Sequence, residues 1–196
     1  MGIKIAVLIS GGGTNLQSVI DNVENGVING EIKLVISNIK NAYGMTRARN
    51  HNIPAFFVDR GNRNKRILSL LDENSIDLVI LAGYLKILSK DIIKKYDKKI
   101  INIHPSLIPK YCGKGYYGEK VHKAVIEKNE KYSGATVHFV DEGVDTGKIL
   151  IQEKIEVKNS DDYKSLSKKV LEIEHRILVK AVEKISKGES DFESIN

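Results

Sequence analysis

Lys4-Ile5-Ala6-Val7-Leu8-Ile9-Ser10-Gly11-Gly12-Gly13-Thr14-Asn15 is the stretch that decides the fold. From Ile5 to Ile9 the run is apolar without alternation, the pattern of a strand buried on both faces, as in a parallel sheet. Three glycines follow at once, and Leu16, Val19, Ile20 and Val23 then recur at helical spacing to give one apolar stripe. A strand, a glycine turn and an amphipathic helix make one βα unit. The unit repeats along the first half of the chain.

Residues 32–37 read as a second strand, 45–50 as a short helix and 55–58, after Pro54, as a third strand. A helix over 66–74 follows, on Ile67, Leu68, Leu70 and Leu71. The almost wholly apolar 77–82 is a central strand. Ser89 caps a helix through Tyr96, and 100–104 is a fifth strand stopped by Pro105. Beyond it the texture changes: 106–118, with Pro109 and three glycines, reads as a long ordered loop. Val121, Ala124 and Val125 mark a helix, and 135–140 and 148–157 are strands of an antiparallel or mixed region. Ser160-Asp161-Asp162 starts a long helix with acids in its first turn, and apolar positions from Leu166 to Ile185 carry it to Gly188. The expectation is an α/β chain: a single-domain, open, mainly parallel twisted sheet with helices on both faces, Rossmann-like, with an antiparallel C-terminal strand region and a long C-terminal helix. One domain covers 1–196, with a mononucleotide-binding half over 1–104, a second half over 105–188 and a frayed tail over 189–196.

Composition narrows the function. At 196 residues, 41% hydrophobic and 29% charged, the chain suits one globular domain with a sizeable core. Lys and Arg number 31 against 25 Asp and Glu, a net charge of +6 that favours anionic partners. Those basic residues are scattered, aromatics are 6% and tryptophan is absent, so no nucleic-acid surface is read. The single cysteine, Cys112, excludes an internal disulfide and a cysteine zinc cage, and reads as an incidental or structural thiol in a reducing, cytoplasmic setting. No export signal or membrane span is read. His51, His122, His138 and His175 form no pair at metal-ligand spacing, and no metal is expected.

Three places can carry chemistry. Ser10 to Asn15 lies between strand and helix, where N–H groups unobstructed by β-carbons and a helix N-terminus attract a phosphate. The string lacks both the dinucleotide and the NTP-binding spacing, and it serves equally as a tight turn capped by Thr or Asn. Asn102 and His104 project from one face of a strand at its carboxyl end, the edge where open α/β sheets bind ligands. An amide and an imidazole side by side suit a carbonyl oxygen turning negative while a proton moves. The same pair also serves as strand-end groups bonding local backbone. Finally, Asp141, Glu142 and Asp145 lie in a glycine-flanked link between two strands. A carboxylate beside His104 would raise its pKa and orient it; a simple turn uses the same residues.

The order of four motifs is distinctive: Ile9-Ser10-Gly11-Gly12-Gly13-Thr14-Asn15-Leu16-Gln17, Leu81-Ala82-Gly83-Tyr84-Leu85-Lys86-Ile87-Leu88, Asn102-Ile103-His104-Pro105-Ser106-Leu107-Ile108-Pro109, and Gly134 to Val140 running on to Asp145-Thr146-Gly147. Over nearly its whole length the chain resembles the phosphoribosylglycinamide formyltransferases, folate-dependent enzymes of purine biosynthesis. The resemblance implies transfer of a formyl group from 10-formyltetrahydrofolate to the amine of phosphoribosylglycinamide, without metal. It implies Asn102, His104 and Asp145 as catalytic residues, and Gly13, Thr14, Asn15 and Glu174 as the substrate site, with Lys110 an alternative phosphate neighbour. Arg63, Leu85, Lys86, Ile87, Leu88, Asn102, Asp141 and Asp145 are implied as folate contacts, in the half that runs from residue 105 and the loops before it. The chain departs from the pattern at Cys112, where the family often has proline, and at Lys86, where arginine is frequent.

Two folate relatives and one unrelated class compete. A tRNA formyltransferase carries an added C-terminal nucleic-acid-binding domain and a formyltetrahydrofolate hydrolase an added N-terminal regulatory domain, for which 196 residues leave no room. A non-catalytic nucleotide-binding module would keep the glycine turn without needing Asn102, His104 and Asp145. The expected partners are small molecules only, with the protein a monomer or homodimer.

Overall fold

The structure, a computed structural model, describes residues 2–189. The tail read as frayed lies outside them apart from Glu189. Seven strands form one sheet in the order β3-β2-β1-β4-β5-β6-β7. They are β1 (Ile3–Ile9), β2 (Gly30–Ser37), β3 (Ala55–Phe57), β4 (Leu78–Leu81), β5 (Ile100–His104), β6 (Tyr132–Phe139) and β7 (Ile149–Glu156). The first five run parallel, and β6 and β7 add antiparallel. The helices are α1 (Thr14–Glu24), α2 (Tyr43–Asn50), α3 (Arg63–Glu73), α4 (Lys90–Lys95), α5 (Glu119–Glu127) and α6 (Tyr163–Ser186). This is the expected α/β architecture, and β5 and β6 pair across the long loop that follows Pro105.

Strand parity splits the core in two. Ile5, Val7 and Ile9 of β1 face one side with Leu16 and Val19 of α1 and the stripe Leu166, Val170, Ile173, Ile177 and Ala181 of α6. Ala6 and Leu8 face the other, with Ile67, Leu70 and Leu71 of α3 and Ile92 of α4. On this second face the apolar packing reaches Ile100 and goes no further along β5. The same face of β5 and β6 continues with Asn102, His104, Thr136 and His138. A sheet surface left uncovered by helices thus carries polar groups at its carboxyl edge, beside the switch point where β1 is flanked by β2 and β4.

Several boundaries move from the sequence reading. Helix α3 begins at Arg63, three residues earlier than the apolar spacing suggests, and α2 begins at Tyr43. Ser89 occupies the N-cap position of α4 without a side-chain capping bond. The acids before α6 act ahead of its first turn: the Asp162 side chain accepts from Ser165 N–H while the Ser165 hydroxyl accepts from Asp162 N–H, a reciprocal capping box. Among the described residues no helix is long and apolar enough to cross a membrane.

Candidate active site

The turn after β1 is built for close approach. Gly13 takes the N-cap position of α1 at φ 72°, and a β-carbon there would stand 2.7 Å from the Cα of Gly44. Neither Thr14 nor Asn15 caps the helix, which corrects the turn reading: among the described residues no side chain bonds the first N–H groups of α1. The loop is fixed instead from α2, since Gly44 N–H donates to Gly11 O at 3.0 Å and Arg47 Nε to Gly12 O at 2.9 Å. Asn15 reaches across to α6, donating Nδ2 to Glu174 Oε2 at 2.6 Å. Burial pushes the Glu174 carboxyl up to about 7 against the opposing pull of that amide. Asn15 Oδ1 is buried without a partner among the described residues.

At the end of β5, residues far apart in sequence meet. Asn102 Nδ2 donates to Asp145 Oδ1 at 3.3 Å and lies 3.1 Å from His138 Nε2. The amide must face this way, because its oxygen would oppose the Asp145 carboxylate. His104 is 5% exposed, and its Nε2 is 2.9 Å from Tyr111 O. A carbonyl only accepts, so Nε2 carries the proton and Nδ1 of the neutral ring is the basic atom. That atom stands 3.6 Å from Asp145 Oδ2, a contact longer than a hydrogen bond. Gly113 N–H donates to the same oxygen at 2.9 Å.

The Asp145 carboxylate pulls His104 up as expected, yet the net shift is downward. Burial outweighs both the Tyr111 carbonyl and the Asp145 charge and holds the imidazole below its ordinary value. For Asp145 the balance runs the other way: burial pushes it up, but the His138 and His104 rings and the Gly113 N–H prevail and keep it ionised. Asp145 sits at φ 59°, left-handed for a residue with a side chain, between Gly143 and Gly147. A β-carbon on Gly147 would run into Phe139 O, so the loop's path back to β7 needs glycine there.

Leu85 N–H donates to Ser10 Oγ at 2.8 Å, tying the segment after β4 to the end of β1. Leu85 and Ile87 are large apolar side chains 53% and 65% exposed, while Leu88 is buried and Lys86 exposed. A Lys90 to Glu142 ion pair at 2.7 Å joins that segment's helix to the 141–147 loop. Asp141 Oδ1 accepts from Gly143 N–H and the Thr146 hydroxyl, which shapes the loop. Arg63 opens α3 with its Nε buried and without a partner among the described residues. Lys110, the alternative phosphate neighbour, is exposed and pairs with Glu130 at 2.9 Å. Burial, then the Asp145 charge, pushes the Cys112 thiol up, which keeps it protonated.

Sequence reading missed three participants: His138, the Tyr111 carbonyl and the Gly113 N–H. His138 had a signal, since pairing β5 with β6 sets it directly opposite Asn102 on the same face. The other two are backbone groups of a loop and leave no trace in residue type. Among the described residues no three His, Cys, Asp or Glu side chains gather as metal ligands.

The chain is 39% identical over 186 residues to the chloroplastic phosphoribosylglycinamide formyltransferase of Arabidopsis thaliana, covering 91% of this chain and 64% of that one. It is 40% identical over 191 residues to the phosphoribosylglycinamide formyltransferase of Haemophilus influenzae, covering 94% and 88%. The chain therefore spans less than two thirds of the plant relative's length and most of the bacterial one's. The crystal structure of glycinamide ribonucleotide transformylase 1 from Symbiobacterium toebii superposes with a TM-score of 0.89 at 35% identity, over 95% of this chain and 89% of that one. The formyl transferase model matches residues 3–182, and with these identities over nine tenths of its length the chain belongs to the formyl transferase family.

Proposed function

We propose that the protein transfers the formyl group of 10-formyltetrahydrofolate to the amine of 5'-phosphoribosylglycinamide, a step of purine biosynthesis. The observation that carries the reading is the meeting of Asn102, His104 and Asp145 at the carboxyl end of β5. Gly13, Thr14 and Asn15 offer the phosphate a helix N-terminus, and Glu174 beside Asn15 offers a carboxyl for the sugar hydroxyls. Leu85 and Ile87 supply apolar cover for a pteridine, with backbone groups of 85–88 for its edge; Arg63 and Asp141 complete the folate contacts.

Chemistry follows from the hydrogen bonds. As the amine attacks the formyl carbon, charge grows on the formyl oxygen, and Asn102 Nδ2 is the donor for it. Its longer bond, to Asp145, is the one to yield. His104 Nδ1 takes the amine proton, and the ionised Asp145 stabilises the imidazolium so formed. The proton then passes to folate N10 as the carbon–nitrogen bond breaks. The reading carries with it a cytoplasmic enzyme of small molecules, monomeric or homodimeric.

The test is to mix protein with 10-formyltetrahydrofolate, with and without the glycinamide ribonucleotide, and follow folate absorbance. A change only with the amine supports transfer. A change without it supports hydrolysis, and no change in either mixture supports a binding module.

A further inference from the structure

Helix α5 ends in a way that fixes the residue after it. Asn129 takes φ 51°, its N–H donates to Ile126 O at 3.0 Å, and Glu130 N–H reaches back to Val125 O at 3.2 Å. Two closing bonds around a left-handed residue make a Schellman motif, which satisfies carbonyls that the helix leaves open. With Val125 in the core and β6 starting at Tyr132, the backbone of Glu130 is held from both sides. Its carboxylate accepts from Lys110 Nζ at 2.9 Å and from the Tyr111 hydroxyl at 2.9 Å. Among the described residues these are its only side-chain partners.

Tyr111 carries that anchorage into the active site. Its carbonyl is the acceptor for His104 Nε2, while its hydroxyl, at the far end of the side chain, is the group Glu130 holds. The backbone between them sits at φ 51°, a left-handed conformation that an aromatic residue rarely takes and that lasts only where its surroundings over-determine it. Three contacts do so here: Glu130 on the hydroxyl, the Tyr116 ring edge-on with centroids 5.8 Å apart, and Ser106 Oγ donating to Lys110 O at 2.6 Å. Tyr116 is itself 39% exposed, so Glu130 is the contact that ties the Tyr111 ring to the frame of helix and sheet. Burial, then the bond to Glu130, pushes the Tyr111 phenol up to about 12, so the hydroxyl stays a donor at neutral pH.

We propose that Glu130 is a positioning residue for His104: by fixing the Tyr111 ring it keeps the Tyr111 carbonyl on Nε2, and so keeps Nδ1 as the basic atom. Release of Tyr111 from the left-handed region turns the peptide that follows it, withdraws the acceptor from Nε2 and opens both tautomers to the ring. The kinetic consequence rests on the formyl-transfer reading, whereas the tautomer does not.

The test is nitrogen-15 NMR of histidine-labelled protein at pH 8, where the His104 ring is neutral, with kinetics alongside. The wild type should carry its proton on Nε2 alone. In Glu130→Ala the form protonated on Nδ1 should appear, and kcat should fall about tenfold with KM little changed. Tyr111→Phe removes the same bond from its other end and should do likewise, and the double variant should lose no more than either single one. Glu130→Gln keeps an acceptor oxygen and should restore the wild-type spectrum. Thermal unfolding checks that each variant folds, and Tyr111→Phe decides the matter should Glu130→Ala not fold. A proton that stays on Nε2 in both single variants, losses that add in the double variant, or a Gln variant no better than Ala would overturn the proposal. A protein that moved no formyl group would still give the tautomer result, so the two readings fail separately.

Discussion

The Nε2 proton of His104 is donated to the carbonyl of Tyr111 at 2.9 Å, which leaves Nδ1 as the atom that faces the Asp145 carboxylate. The backbone of a loop thereby chooses the tautomer of the strand residue it packs against, and the basic nitrogen is aimed at the group able to stabilise its charge. With burial holding His104 below its ordinary value of 6.5, the ring is neutral at pH 7. The rate of formyl transfer should be flat near neutrality and fall only below about pH 6.5, as Nδ1 becomes occupied by a proton. In Asp145→Asn the charge that pulls His104 upward is gone, so the acid limb should move to still lower pH while kcat drops at least tenfold and KM changes little. Asn tolerates the left-handed backbone at this position, so the loop should survive. An acid limb that stays where it is in Asp145→Asn would break the link between the two residues.

Asn102→Ala removes the donor that meets the formyl oxygen. One such donor is worth about 3–4 kcal/mol in acyl transfer, so kcat should fall by about a hundredfold or more. The substitution also deprives His138 Nε2 and Asp145 Oδ1 of their shared amide. Steady-state kinetics at saturating folate decide it: wild-type turnover would remove Asn102 from the mechanism.

Much of this was legible from residue order, and the reason is physical. A parallel strand buried on both faces is continuously apolar, and Ile5 to Ile9 and Leu78 to Leu81 announced themselves that way. The strand over 100–104, ended by Pro105, carries Asn102 and His104 to its own carboxyl end. Asp145 was harder, since a turn uses the same Asp and Gly, and only its convergence with β5 distinguishes it. Helix starts were misjudged where the first turn is polar, as in Arg63–Glu73, because periodicity begins with the first buried residue, Ile67. The sign of the His104 shift was out of reach, for it is set by how much of the ring is desolvated, and that depends on the fold of residues 106–118.

Gly13→Ala tests the phosphate turn. A β-carbon at φ 72° and 2.7 Å from the Gly44 Cα forces the turn and α2 apart, at a cost of about 1–3 kcal/mol. Urea unfolding should show that loss. Because Gly44 anchors Gly11 O, the N–H groups of the turn should also shift, raising KM for the phosphorylated amine more than KM for the folate. Equal effects on both substrates would argue against a phosphate at this turn.

Glu174 links the substrate site to stability through pH. Its carboxyl is pushed up to about 7 by burial, whereas an unfolded chain releases the same proton near 4.5. Between those values the folded protein binds more protons than the unfolded one, so stability falls as pH rises. The contribution is complete below about pH 4.5 and gone above about pH 7. Near neutrality the group is half protonated, able both to donate to and to accept from a sugar hydroxyl. Glu174→Gln is neutral throughout and can keep its acceptor for Asn15 Nδ2. Urea unfolding at pH 5 and pH 8 should therefore show the variant gaining on the wild type with pH, by up to roughly 3 kcal/mol. Two stability curves that run parallel over this interval would mean that Glu174 is ionised in the folded protein and that Asn15 holds it so.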